Sequence, residues 1–309
     1  MPAEIYGERY QFLSREQLLS FEEITRLTKI MVKLDAAKVR LTGGEPLVRN
    51  DVESLVAMLS EIRGVKDLTM TTNAYLLPQK AEALKQAGLQ RITVSLDTLD
   101  DKIFRHMNGR GFGTESVLTG IAAAERAGLL PIKINSVVQR GVNDHTVVDL
   151  ARYFKDRGHI VRFIEYMDVG NRNGWKLDHV VPADEIVARI DAEMPLEPVE
   201  SSYRGEVALR YRYRDGGGEI GIIASVTRPF CGECTRIRIS PEGSIYTCLF
   251  ANVGRDLRGP MRDGASDDDL ESIISDTWDA RVDRYSEERS SMTEELRAQE
   301  KVEMYHIGG

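Results

Sequence analysis

Four short β-branched runs in the first half of the sequence are apolar at one parity and polar at the other. The apolar positions are Val39, Leu41, Leu68, Met70, Ile92, Val94, Ile132 and Ile134, and the polar positions are Arg40, Thr42, Thr69, Thr71, Asn73, Thr93, Ser95, Asp97, Lys133 and Asn135. Successive side chains of a strand point to opposite faces, so one face of the resulting sheet is apolar and the other polar. A parallel sheet covered by helices on both faces is apolar at both parities, and this pattern argues against it.

Helical patterns separate these runs from one another. The predicted strands are 38–42, 67–72, 91–97, 132–138 and 161–165, and the predicted helices begin at a capping box of Ser20 and Glu23 or end at Gly88, Gly128 and Gly158. Repeated β-α alternation predicts a parallel sheet with right-handed crossovers. Together with the polar parity it favours an α/β barrel whose polar lumen holds a ligand. An open sheet with one solvated face is the alternative.

The second half changes character, and we place a boundary between residues 175 and 176. A helix is expected at 183–192, a hairpin from strands 206–213 and 219–226, and a second hairpin from 236–239 and 244–247. Three acidic residues at 267–269 follow Ser266, which predicts a negatively charged first helical turn in preference to a metal site. We therefore predict a barrel domain, residues 1–175, followed by an α+β extension, residues 176–309.

Composition limits the function classes. The 309 residues carry a net charge of −8, which argues against a long nucleic-acid footprint but leaves room for a small anionic ligand in a local basic pocket. No apolar run approaches the roughly eighteen residues of a membrane helix. Three cysteines are too few for a disulfide framework, so we expect a reducing cytoplasm and no membrane partner.

All three cysteines fall into one pattern. Cys231 and Cys234 form a CxxC pair, and Cys248 lies on the second predicted hairpin. Zinc prefers four closed ligands and no fourth is evident nearby, whereas a [4Fe–4S] cluster can be held by three thiolates. Free thiols or a redox CxxC pair are the alternatives. Neighbouring arginines at 228, 236 and 238 suit thiolates or an anionic ligand.

These motifs together resemble the GTP 3′,8-cyclase family of radical S-adenosylmethionine enzymes. The resemblance runs over the whole sequence and is carried by the segments 39–46, 71–73, 94–97, 133–135, 162–167 and 230–238, by Cys248 and by the terminal Gly308 and Gly309. It implies an incomplete triose-isomerase-type barrel with a C-terminal extension. Asp35 and Ala74 stand where the family usually has glycine.

The resemblance implies a role for each matching residue. GTP contacts would be Arg40, Thr71, Lys133, Thr235, Arg236, Ile237 and Arg238; S-adenosylmethionine contacts would be Gly44, Ser95 and Met167; and Cys231, Cys234 and Cys248 would hold an auxiliary [4Fe–4S] cluster. The terminal glycines would reach into the active site. These GTP and cofactor contacts on the strands coincide with the polar parity.

The function implied is that of a lyase which converts GTP into 3′,8-cyclo-7,8-dihydroguanosine 5′-triphosphate, the first step of molybdenum-cofactor biosynthesis. Its product would pass to cyclic pyranopterin monophosphate synthase, and the chain would act as a monomer or homodimer. A peptide-modifying radical enzyme and a non-catalytic GTP-binding protein with one cluster are the alternatives. The family's barrel begins with a strand and a CxxxCxxC motif that precede Met-Pro, and this sequence begins at Met1 and Pro2. We therefore expect that the chain as written does not cleave S-adenosylmethionine.

Overall fold

The computed structural model describes residues 13–109, 111–170, 174–289, 291–292 and 301–307. The strands are β1 (Lys38–Leu41), β2 (Asp67–Thr72), β3 (Arg91–Ser95), β4 (Lys133–Val138), β5 (Ile160–Glu165), β6 (Leu196–Val199), β7 (Leu209–Tyr213), β8 (Glu219–Ile223), β9 (Arg238–Ile239), β10 (Ser244–Tyr246) and β11 (Arg255–Asp256). The helices are α1 (Phe21–Lys33), α2 (Val52–Ser60), α3 (Leu77–Gln86), α4 (Asp101–Asn108), α5 (Thr114–Arg126), α6 (Val147–Lys155), α7 (Ala183–Asp191), α8 (Arg258–Arg262), α9 (Asp267–Asp279), α10 (Tyr285–Glu288) and α11 (Met304–Ile307).

The first eight strands form one sheet in the order β1-β2-β3-β4-β5-β8-β7-β6. Strands β1 to β5 are parallel neighbours, as the β-α alternation predicts. The hairpin of β7 and β8 also forms, but β8 pairs in parallel with β5 and so extends the barrel sheet from the second half of the chain. The sequence does not predict this pairing, because hairpin signals say nothing about which third strand the hairpin joins.

The two parities of the sheet separate as predicted. The apolar positions of β2, β3 and β4 are at most 1% exposed and pack with α2, α3, α5 and α6 in the main core. Their transfer from water is the dominant favourable term in folding. The polar positions lie on the other face, where Thr69 and Thr93 are each 2% exposed and Arg40, Thr71 and Lys133 are partly buried. Both features fit the predicted incomplete α/β barrel.

The sheet is strongly curved. Tyr203 lies in the connection between β6 and β7, near one edge of the sheet, and its hydroxyl accepts a hydrogen bond from Lys38 Nζ of β1 at 3.4 Å. The same ammonium stands 5.0 Å from the centre of the Tyr203 ring. Because β1 is the opposite edge strand of the described sheet, this contact shows that the two edges approach each other across the polar face.

A second apolar core joins helix α1 to the C-terminal part of the chain. Helix α1 contributes Leu27, Ile30 and Met31, which pack against residues of β10, α8 and α9 from the C-terminal part. The capping boxes that start α1 at Ser20 and α9 at Ser266 both form. No helix among the described residues is both long enough and apolar enough to cross a bilayer.

Asp35 and Ala74 adopt left-handed backbone conformations, which glycine adopts at lower cost. Asp35 follows α1 with φ of 68°, and Ala74 follows β2 with φ of 64°. A Cβ atom in this region costs about 1–2 kcal/mol. The family's glycine preference at both positions therefore has a direct conformational cause.

We expect Asp35→Gly to raise the free energy of unfolding by about 0.5–1 kcal/mol, because relief of strain at this exposed position exceeds the entropy that glycine adds to the unfolded chain. Ala74→Gly is the matched comparison: Ala74 is 0% exposed, and the lost methyl, worth about 0.8 kcal/mol, should leave its stability near that of the parent. Urea unfolding curves measure both. Equal gains in the two variants would contradict this explanation.

Candidate substrate and cluster site

Basic and hydroxyl side chains converge on the polar face of the sheet. Arg40 of β1 donates a hydrogen bond from Nη1 to Thr71 Oγ1 of β2 at 3.4 Å. Thr71 pairs with Thr93 of β3, and Thr93 in turn pairs with Lys133 of β4. The structure thus brings the three predicted GTP contacts of the barrel strands, Arg40, Thr71 and Lys133, to one face.

Arg162 of β5 belongs to the same face, although the sequence analysis assigns it no role. It is 8% exposed and donates to Asn135 Oδ1 at 2.9 Å and to Thr93 Oγ1 at 3.3 Å. Burial, and after it the positive charge of Arg40, lowers its pKa to about 9. The signal that identifies Arg162 is its register with Asn135 across β4 and β5.

The positive charges of this face are only partly neutralised. Asp67 pairs with Lys38 at 3.2 Å and with the Arg91 guanidinium at the start of β2 and β3. Deeper in, burial and then the charge of Arg162 lower the pKa of Lys133 to about 8. A polyanion bound here would reverse that shift, since an opposite charge favours the charged form of a lysine.

The predicted S-adenosylmethionine contacts lie at, or within three residues beyond, the carboxyl ends of β1, β3 and β5. Gly44, Ser95 and Met167 therefore lie at the edge where α/β sheets bind ligands. The loop of Gly44 is fixed by Glu45, whose carboxylate accepts hydrogen bonds from the Thr72 hydroxyl and the Asn73 N–H, each at 2.7 Å. Burial raises the pKa of Glu45. Gly44 itself is exposed.

The CxxC pair forms one short turn. Cys231 begins a 3₁₀ helix, and the Cys234 N–H donates to the Cys231 carbonyl at 3.1 Å. Arg236 donates to Cys234 Sγ from Nε at 3.4 Å and from Nη2 at 3.3 Å. Burial alone raises the pKa of Cys234, but Arg236 outweighs burial and the pKa is lowered. Such a thiol readily forms the thiolate that binds metal.

Cys248 completes a trio with this turn. None of the three cysteines is in a disulfide. Burial, and to a smaller extent the charge of Cys231, raises the pKa of Cys248. Arg238 of β9 feels the charges of both Cys234 and Cys248. Arg238 and the three thiols are therefore close enough to influence one another's charges.

The three thiols are of the ligand type that an iron–sulfur cluster takes. Among the described residues, no three His, Cys, Asp or Glu side chains stand close enough to hold one ion. Thiolates on different irons of a cluster lie farther apart than the ligands of a single ion, and three suffice for a [4Fe–4S] centre. The three cysteines supply sulfur ligands, and Arg236 and Arg238 supply positive charge that would offset the charge of the thiolates.

The CxxC segment adjoins the polar face of the sheet. The charge of Arg236 contributes to lowering the pKa of Arg40, after the larger effect of burial. Between them lies the connection from β6 to β7, where a Cβ on Gly205 would stand 2.7 Å from Thr235 Oγ1. Thr235 is exposed, whereas Ile237 packs partly against the second core.

The C-terminal helix α11 lies against the turn between β9 and β10, where His306 Nε2 stands 2.5 Å from Glu242 Oε1. This contact raises the pKa of His306. Gly308 and Gly309, for which the resemblance implies an active-site role, lie outside the described residues.

Comparisons with known proteins agree with this geometry. The description "Radical SAM superfamily" matches residues 6–154 and "Molybdenum Cofactor Synthesis C" matches residues 159–287. The fold is similar to that of "Native anSMEcpe with bound AdoMet", with a TM-score of 0.50, 14% identity, and coverage of 74% of this chain and 65% of that one.

Curated relatives match along the entire chain. Proteins named GTP 3′,8-cyclase from Acidothermus cellulolyticus and from Xanthomonas axonopodis pv. citri are each 48% identical to it, over 100% of this chain and 91% of the relative. The protein of that name from Staphylococcus carnosus is 45% identical with the same coverage. Sequence motifs, fold and relatives therefore agree, and the chain belongs to the GTP 3′,8-cyclase family of the radical S-adenosylmethionine superfamily.

Proposed function

We propose that this chain belongs to a lyase that converts GTP into 3′,8-cyclo-7,8-dihydroguanosine 5′-triphosphate, the first step of molybdenum-cofactor biosynthesis, and that its own residues supply the GTP site and the thiols of an auxiliary cluster. One observation carries the proposal: a largely buried cationic face, formed by Arg40, Lys133 and Arg162, adjoins the segment that carries the thiols of Cys231 and Cys234. A nucleoside triphosphate has the charge for the first and a base that reaches the second. A peptide substrate has no comparable need for these cations.

The cations of the polar face bind and orient the triphosphate. Guanidinium groups match phosphate oxygens bidentately, and the Lys133 ammonium adds a point charge. Arg40 is held by Thr71, and Arg162 by Asn135 and Thr93, so both guanidinium groups are preorganised before substrate binds. Preorganisation reduces the entropy lost on binding.

Membership in the radical S-adenosylmethionine superfamily implies a [4Fe–4S] cluster and S-adenosylmethionine as cofactors, which would supply the radical chemistry when bound. The three cysteines of this sequence are assigned to a second, auxiliary cluster, so none is left to ligate the S-adenosylmethionine cluster. Gly44, Ser95 and Met167 line the S-adenosylmethionine pocket at the ends of their strands. An auxiliary [4Fe–4S] cluster is held by Cys231, Cys234 and Cys248. Around it, the segment from Thr235 through Arg236 and Ile237 to Arg238 contacts the nucleotide, and Arg238 also compensates the thiolate charge.

Cellular context follows from the same chemistry. Reduced thiols support a cytoplasmic location, and the product would pass to cyclic pyranopterin monophosphate synthase. The division into a barrel domain of residues 1–175 and an extension of residues 176–309 stays a prediction, as does action as a monomer or homodimer.

GTP binding to the anaerobically reconstituted protein tests the assignment. Arg40→Ala, Lys133→Ala and Arg238→Ala should each weaken binding by about 1.5–3 kcal/mol, the usual range for loss of a hydrogen bond between charged groups. Lys29→Ala, on the exposed side of α1, is the control and should bind as the parent does. Calorimetry measures all four.

Turnover is assayed with GTP, S-adenosylmethionine and dithionite on a variant extended at its N-terminus by a CxxxCxxC segment, with the chain as written as the comparison, by mass detection of the cyclised triphosphate. ATP should bind more weakly and give no product. Parental GTP affinity in all three site variants, or product from ATP at the same rate, would overturn the proposed function.

GTP binding should take up protons near pH 8. The free protein holds the pKa of Lys133 at about 8, so about half of these side chains are protonated at that pH, and the triphosphate raises the pKa. Calorimetry in buffers of different ionisation enthalpy should therefore give an uptake of about half a proton at pH 8 and much less at pH 6.5. Lys133→Arg keeps its charge throughout and should abolish the uptake. The same uptake in Lys133→Arg would exclude Lys133 as its source.

Reconstitution should yield about one [4Fe–4S] cluster per chain, because the sequence holds one cysteine trio. Cys234→Ser should lose the cluster or degrade it to a three-iron form, seen by iron analysis and Mössbauer spectra. Two clusters per chain would show that further ligands exist. A colourless, zinc-loaded protein of full stability would identify a structural zinc site instead.

A further inference from the structure

A buried charge cluster lies just beyond the end of β5, outside the polar face of the sheet. We call it the Asp168 cluster, and its members are Asp168, Tyr285, Arg289 and Lys301. Asp168, Arg289 and Lys301 are only 6%, 3% and 8% exposed. Asp168 follows Met167 directly, whereas the other three members come from the C-terminal part of the chain.

The carboxylate of Asp168 is the centre of this cluster. Lys301 Nζ donates to its Oδ2 at 3.1 Å and to its backbone carbonyl at 3.2 Å, and the Tyr285 hydroxyl donates to the same Oδ2. Arg289 Nε lies 2.7 Å from Oδ1. Burial by itself would raise the pKa of Asp168, but these partners hold the pKa below its ordinary value, so the group is ionised at neutral pH.

Stability alone does not account for such a cluster. Each buried ion loses several kcal/mol of hydration, and apolar residues of similar volume are often as stable or more so. Removal of one partner, however, leaves the others buried and uncompensated. The cluster therefore imposes one arrangement on the segments that it joins.

The Asp168 cluster contacts the segment that carries the thiol of Cys248. The Phe250 ring stacks on the Tyr285 ring, with centres 4.4 Å apart and planes at 19°. The Arg289 guanidinium stands 5.1 Å from the centre of the same Phe250 ring. The backbone N–H of Phe250 donates to Cys248 Sγ at 3.4 Å. An unbroken series of contacts thus runs from Asp168 to Cys248.

The backbone adds a second link to this loop. Val302 follows Lys301, and its N–H donates to the carbonyl of Ala251 at 2.9 Å. Two neighbouring residues of the loop that carries Cys248 are therefore held in place: Phe250 by Tyr285 and Arg289, and Ala251 by Val302, which follows Lys301.

The other two thiols have a different support. Glu165, at the end of β5, accepts hydrogen bonds from the N–H groups of Val226 at 2.7 Å and Thr227 at 2.8 Å. These residues precede Cys231. Glu165 thus supports the segment before Cys231 and Cys234, whereas Asp168 supports the segment of Cys248.

We propose that Asp168 is a positioning residue, which sets the place of the Cys248 thiolate relative to Cys231 and Cys234 and so the geometry of the bound cluster. This inference rests on the proposed function, because it requires the three thiolates to hold a [4Fe–4S] centre. Asp168 acts through Tyr285, Arg289 and Phe250 and touches neither cluster nor substrate.

The test compares wild type, Asp168→Asn and Tyr285→Phe after anaerobic reconstitution. Iron and sulfide per chain should be equal in all three. The electron paramagnetic resonance spectrum of the dithionite-reduced cluster should change in both variants, and GTP affinity should fall about threefold to tenfold. Tyr285→Phe keeps every charge and the ring stacking, so its altered spectrum reports position and not electrostatics.

Two further variants separate positioning from loss of stability. Ile190→Ala removes a fully buried side chain of α7 from the main core and should lower the melting temperature while leaving the spectrum unchanged. Phe250→Leu should reproduce the altered spectrum, and the GTP affinity of Asp168→Asn/Phe250→Leu should fall by less than the product of the two single effects, because both act through one path.

Wild-type spectra and GTP affinity in both Asp168→Asn and Tyr285→Phe, with iron content intact, would overturn this inference alone. So would losses of affinity that multiply fully in the double variant. A wild-type protein that assembles no [4Fe–4S] cluster would overturn the cluster assignment and this inference with it, and iron analysis distinguishes that result from the others.

Discussion

Repulsion between like charges on one face of a curved sheet is the constraint on which the site depends. Arg40, Lys133 and Arg162 share that face, and burial followed by the charge of Arg162 lowers the pKa of Lys133 to about 8. The fold tolerates this because the other face of the same strands buries aliphatic side chains against helices. The free energy gained by burying aliphatic side chains on one face offsets the repulsion between Arg40, Lys133 and Arg162 on the other face.

The C-terminal part of the chain completes the polar face instead of forming a separate body beside it. Strand β8 joins the barrel sheet next to β5, and the connection between β6 and β7 brings Tyr203 to Lys38 at the far edge. Helix α1 packs in turn into the C-terminal core. These contacts bring the segment that carries Cys231 and Cys234 next to the polar face of the sheet.

Much of the proposed site rests on local patterns in the sequence. Strand parity separated Arg40, Thr71 and Lys133 from the aliphatic positions, and the spacing of Cys231, Cys234 and Cys248 indicated a thiolate cluster. Period-two alternation is a local property of a strand, so it survives whatever tertiary context surrounds it. Arg162 was missed as a site residue because its strand, β5, is buried at nearly every position and shows no clear alternation.

Local sequence patterns were enough to predict the β-α repeat and the polarity of each strand face. Only the tertiary structure decided that β8 lies beside β5, that the sheet edges meet through Tyr203, and that Asp168 reaches Tyr285, Arg289 and Lys301. Each of these contacts joins residues far apart in the chain. Their formation depends on how helices and strands pack globally, and no local propensity or spacing encodes that.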